Sequence, residues 1–184
     1  MTPEPSTPIL VGCGEVTDLT TPADRGRSPF DLIAQAGRLA MADAGGHGIA
    51  EAIDTVAMLR LFADTSHRFA TRLGSSTNPP KSVADRLGLN PARTIYTWNG
   101  GNMPQYLVNL FAETIARGEM RAALIAGGEA LRTQHGVERL SEGSTSCSSA
   151  TPIPSAVATS TKRPRWPRLR RCPVRQLVYE HWQI

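Results

Sequence analysis

The chain has 184 residues, 40% hydrophobic, 20% charged and only 5% aromatic, enough for one medium domain whose core must rest mainly on Ala, Leu, Val and Ile. No apolar run approaches the roughly twenty residues that cross a bilayer, and Met1 to Pro8 carries neither a basic n-region nor an apolar h-region, so a cytoplasmic protein with no membrane partner is expected. The net charge of +4 is uneven: residues 1–134 hold 12 Lys+Arg and 13 Asp+Glu (−1), and residues 135–184 hold 8 and 3 (+5).

The first element is Pro8 to Cys13, a short apolar run that reads as a buried strand. Ser28-Pro-Phe-Asp31 opens a helix, with Ser28 as N-cap, Pro29 at the first helical position and Asp31 completing an approximate capping box. Leu32, Ile33, Ala36, Leu39 and Ala40 fall on one helical face, and Gly45-Gly46 ends it. Ile53 to Leu61 reads as a second strand, Pro79 to Leu87 as a short helix stopped by Gly88, and Thr94 to Trp98 as a β-branched and aromatic strand. After the turn Asn99-Gly-Gly-Asn102, a helix from Pro104 carries Leu107, Val108, Phe111, Ile115 and Ala116 to Gly118, and Ala122 to Ala126 is a final buried strand. Strands alternating with helices predict an α/β fold with a parallel or mixed sheet and packed helices.

The composition changes near Gln134. Residues 141–161 are rich in Ser and Thr, and residues 162–175 are Arg and Pro with no periodicity. Such a stretch buries too little apolar surface to offset its ordering entropy, so residues 135–184 are expected to be an irregular basic tail, with one short element between Val174 and Ile184. Seven of its eight basic residues are arginine, the bias that a shifted reading frame in GC-rich DNA produces; an out-of-frame tail is one reading of this segment. The rival reading is a non-enzymatic interaction module whose tail, with Trp166 among its arginines, binds an acidic partner or nucleic acid. A solvated tail without nucleic-acid binding is the simpler expectation.

The informative segment is Thr94 to Leu131, TIYTWNGGNMPQYLVNLFAETIARGEMRAALIAGGEAL, in which a buried strand runs into a glycine turn, a helix, and an apolar strand ending in Gly-Gly-Glu. It resembles the thiolase superfamily, and within it the sterol-carrier-protein-type thiolases and thiolase-like proteins of the acetyl-CoA acetyltransferase kind. IARGEMRAALIAGGEAL carries the resemblance most specifically, and SVADRLGLNPARTIYT ahead of it is similar to the family's run-up to the active-site strand. The resemblance spans about residues 1–134 and implies the N-terminal part of a thiolase fold, homodimers among intact members, and a coenzyme A thioester as ligand with no tightly bound cofactor.

The family places a nucleophilic Cys at the start of the helix after such a turn, where unpaired backbone N–H groups and the helix dipole favour a thiolate and the thiol takes the acyl group. Aligning the family's Gln on Gln105 puts the nucleophile position at Gly100, and no cysteine lies between Cys13 and Cys147. The resemblance therefore implies an acyltransferase relative without catalytic residues of its own. Asn99, Gly100, Gly101, Asn102 and Gln105 are its candidate ligand-binding residues, and the family's C-terminal catalytic half has no counterpart. The expectation is a truncated, inactive family member or a thioester binder. Taken alone, the Asn99–Asn102 turn reads as a strand-to-helix connection needing positive φ at glycine.

The remaining motifs are weak. Gly12-x-Gly14 lacks the helix that a dinucleotide fingerprint requires at once. Cys13 reads as a small buried hydrophobe, and Cys147, within Thr145-Ser-Cys-Ser-Ser149, has no strand leading in and Pro152 and Pro154 beyond it. Cys172 completes a set without a CxxC pair, and His47, His67, His135 and His181 are scattered, so no metal site is expected.

Overall fold

Helix α1 (Pro29–Asp43) starts where its cap chemistry dictates. The Ser28 hydroxyl accepts the Asp31 amide at 3.2 Å and donates to the Asp31 carboxylate at 2.6 Å, so the reciprocal contact of the capping box is made through the hydroxyl. Gly45 follows at φ 94° and closes the helix. The computed structural model describes residues 6–45, 48–66, 69, 73–143 and 176–180. Around α1 the chain forms β1 (Ile9–Gly14), the short α2 (Ile49–Ala52), β2 (Ile53–Met58), α3 (Pro79–Leu87), β3 (Arg93–Tyr96), α4 (Met103–Ala116), β4 (Ala122–Ala126), α5 (Leu131–Gly143) and β5 (Gln176–Glu180).

The sheet is mixed, in the order β1-β5-β4-β2-β3. The strands β4, β2 and β3 are parallel neighbours, with Val56 opposite both Leu124 and Thr94. Parallel neighbours require crossovers, and α3 and α4 provide them. β5 runs antiparallel to both β1 and β4 and fills the slot between them, with Gln176 opposite Gly14 and Val178 opposite Leu124. Helix α5 runs across position 134, where the composition changes. The Ser/Thr-rich and Arg/Pro-rich stretches, Cys147, Trp166 and Cys172 lie outside the described residues.

Helices cover both sheet faces. On one, Val56, Met58, Leu124 and Ala126 pack with Phe30, Ile33 and Ala40 of α1 and Val83 and Ala84 of α3. On the other, Ala57, Ala123 and Ile125 pack with Leu107, Phe111 and Ile115 of α4. The alternation along β2 and β4 is the two-residue period of a strand buried on both sides.

Two glycines set how closely α1 approaches the sheet. A Cβ on Gly12 would lie 2.3 Å from the Ala40 carbonyl oxygen, and one on Gly14 would lie 2.1 Å from that of Ala36. The Gly-x-Gly pair is therefore a packing device. Gly14→Val is expected to lower the melting temperature by several degrees or more, because the obstacle is helix backbone and overpacking of this kind costs about 1–3 kcal/mol or more. An unchanged melting profile would show that α1 does not sit this close. Cys13, between them, is half-buried, not fully buried as the sequence suggests, and its amide donates to Asp43 Oδ2 at 2.9 Å.

Candidate functional site

The turn from β3 into α4 is built as the sequence predicts in position but not in backbone conformation. Met103 donates to the Gly100 carbonyl at 3.1 Å and Tyr106 to the Asn102 carbonyl at 3.0 Å, so α4 begins one residue before Pro104. Neither Gly100 nor Gly101 has positive φ; among the described residues the positive-φ glycines are Gly45, Gly48, Gly74, Gly88 and Gly118. The expectation that this turn needs left-handed glycine is thereby corrected. A Cβ on Gly100 would meet Asn102 Oδ1 at 2.7 Å, the end of a flexible exposed side chain, and one on Gly101 would meet nothing within 4 Å.

Next to the turn, the exit of β2 is held by consecutive amide bonds. Leu59 donates to the Ala126 carbonyl at 2.8 Å, Arg60 to Thr97 Oγ1 at 3.1 Å, Leu61 to the Tyr96 hydroxyl at 3.0 Å, and Phe62 to Glu129 Oε1 at 2.6 Å. Unpaired amides beyond a strand end are costly where water is excluded. Here side chains from the ends of β3 and β4 satisfy them. Tyr96, Thr97 and Glu129 thus fix one wall of the site.

The charges on this wall are unequal in their surroundings. Desolvation raises the Glu129 pKa above the ordinary carboxylate value; the Phe62 amide pulls it down and the Asp64 carboxylate pushes it up. Desolvation, with the bond that the Tyr96 hydroxyl donates to Asp64 Oδ2 at 2.5 Å, also raises the Tyr96 phenol. A carboxyl with a raised folded pKa holds its proton better when folded, so its ionisation costs stability as pH climbs from the unfolded pKa through the folded one. Glu129→Gln keeps an acceptor for Phe62 and removes the charge. The variant is expected to melt at or above the parent temperature at pH 7, with the difference vanishing near pH 4. A lower melting temperature at pH 7 would show that the ionic hydrogen bond to Phe62 outweighs desolvation.

A cleft of about 390 Å³ opens where these pieces meet. Asn99, Gly100 and Gly101 line it together with Thr97, Trp98, Arg60 and Glu129. Trp98 is 80% exposed there. Of the residues predicted from the sequence, Asn99, Gly100 and Gly101 come together in this cleft. Asn102 caps α4 without a side-chain bond, and Gln105 lies outside, donating to Asn109 Oδ1 at 2.8 Å along the helix. Arg60 and Glu129 were missed by the sequence reading. Glu129 had a signal, as the end of the Gly-Gly-Glu that closes β4, whereas nothing local marks Arg60.

A second cleft of about 560 Å³ lies beyond Arg60, walled by hydroxyl side chains. Among the described residues Cys13 is the sole cysteine, and it lines neither cleft.

No family model matches the chain, and no curated protein is similar to it. Solved structures do match. A monomeric SCP2-thiolase-like protein type 1 from Mycobacterium smegmatis is 35% identical, with a TM-score of 0.55 over 69% of this chain and 24% of that one. OleA from Xanthomonas campestris is 18% identical, with a TM-score of 0.56 over 78% of this chain and 51% of that one. A cysteine-to-serine OleA variant with bound lauric acid and lauroyl-CoA gives 18% identity and a TM-score of 0.55 over 78% and 49%. The chain therefore spans about a quarter of the mycobacterial protein and about half of OleA.

Proposed function

The chain carries part of the thiolase-superfamily fold, and from that premise we propose that it binds an acyl thioester of the coenzyme A type without taking the acyl group onto itself. The observation that supports this reading is the cleft at the start of α4, lined by glycine at positions 100 and 101, with no thiol or hydroxyl on the Asn99–Asn102 turn. Backbone amides at a helix start favour a carbonyl or oxyanion. Without a nucleophile, such a site polarises and holds a thioester but forms no acyl intermediate. A role in lipid metabolism, a cytoplasmic location and homodimers among intact family members belong to the same proposal.

The test pairs equilibrium dialysis of the chain against acetyl-CoA and lauroyl-CoA with intact-mass measurement. Saturable binding without a mass increase is expected. Binding to neither ligand, or an acyl mass increase on any residue, would sink the reading.

A further inference from the structure

Arg60 sits between the two clefts and lines both. Its Nε and Nη2 reach only the Asp64 backbone carbonyl, at 3.4 and 3.2 Å, and its guanidinium lies 5.5 Å from the centre of the Tyr96 ring. Among the described residues no carboxylate lies within 4 Å of it. A guanidinium is always charged and has five donors in a fixed fork, so two shared on one carbonyl leave most of its capacity open. Asp64, the one acid among the described residues lining the larger cleft, has its carboxylate engaged by the Tyr96 hydroxyl.

Among the described residues the rest of that wall mixes hydroxyl side chains with Ala63, Pro79 and the Tyr96 ring. Thr65, Ser66, Ser76 and Thr77 border the cleft, and Pro79 opens α3 beside them. The Thr65 hydroxyl donates to the Phe62 carbonyl at 2.7 Å and the Ser76 hydroxyl is paired with Ser82 Oγ at 2.6 Å, so the Arg60 guanidinium carries most of the open donor capacity toward a ligand. An apolar acyl chain would leave the open donors of Arg60 uncompensated. A ligand with a charged oxygen group satisfies them.

On the basis of the thioester reading, we propose that Arg60 is the specificity-determining residue for a thioester bearing an anionic group, which it receives in the hydroxyl-lined cleft while the thioester lies at the Asn99–Gly101 turn. The shared chemistry is a carboxylate or phosphate oxygen pair facing the guanidinium. It comes either from the acyl part or from the carrier.

Three probes separate these sources. S-butyryl-N-acetylcysteamine is neutral, S-succinyl-N-acetylcysteamine carries its charge on the acyl part, and butyryl-CoA carries it on the carrier. Equilibrium dialysis of the full chain is expected to show at least one charged probe binding about tenfold tighter than the neutral one, the scale of a charge-assisted pair. Arg60→Gln is expected to erase that advantage, weakening the charged probe about tenfold more than the neutral one, with Arg60→Lys retaining part of it. The probe that loses affinity identifies the source. Equal binding of all three probes by the parent, or equal weakening of all three in Arg60→Gln, would overturn the role of Arg60 while leaving the thioester reading intact. Binding of no probe would overturn both. A melt of each variant shows that the fold is retained, and Arg60→Lys carries the test if Arg60→Gln does not fold.

Discussion

Gly100→Cys is expected to become the one position of the chain that reacts covalently with an acyl thioester. The backbone at residue 100 is not left-handed, so an L side chain fits without strain. Its Cβ displaces only the Asn102 amide oxygen, 2.7 Å away in the parent. The new thiol would stand two residues before Asn102, the N-cap of the fourteen-residue α4, in the field that lowers a thiol pKa below about 8.5. The expected result is an acyl-mass adduct with acetyl-CoA that peptide mapping places on residue 100. It is absent from the parent, whose thiols are Cys13, Cys147 and Cys172. Faster alkylation of residue 100 than of those three would confirm the lowered pKa. A variant that stays folded yet labels no faster at residue 100 would show that the turn does not activate a nucleophile, and the reading of this site as a thiolase turn would fail with it.

The second large effect concerns the end of the chain. Deleting residues 176–184 removes β5 from the middle of the sheet, where it pairs with Ile9, Leu10, Gly12, Cys13 and Gly14 of β1 and with Ala122 to Ile125 of β4. Among the described residues no other strand borders β1. Each lost backbone hydrogen bond costs about 0.5–1.5 kcal/mol, more where the groups stay buried. The loss would therefore take most of the roughly 5–15 kcal/mol that stabilises a domain. The deletion is expected to abolish cooperative unfolding. Val178→Pro, which removes one amide from an interior strand without shortening the chain, is expected to cost about 3 kcal/mol. If both variants melt like the parent, residues 176–180 do not occupy the sheet. That outcome would favour the frameshift reading.

Much of the fold is legible along the chain because local chemistry specifies it. Ser28 with Pro29 fixes the start of α1, Asn78 with Pro79 and then Gly88 bounds α3, and the apolar run at Ala122–Ala126 is β4 as read. Boundaries drift where tertiary bonds replace the ladder. β2 stops at Met58, short of Leu61, because the amides of residues 60–62 are taken by side chains of Tyr96, Thr97 and Glu129. The four-residue α2 has no cap signal and is held by burial of Ile49.

By itself the sequence determined the alternation of strands and helices, the glycine turn before α4 and the absence of a nucleophile on it. These depend on residues adjacent in the chain, whose propensities and caps act over a turn or less. Only the tertiary structure decided which side chains share the cleft. Arg60 and Glu129 are 69 residues apart. They meet because β2 and β4 are parallel neighbours that end at the same edge of the sheet, Met58 opposite Ala126. Pairing across such a distance is set by burial of both sheet faces and leaves no local mark on either residue.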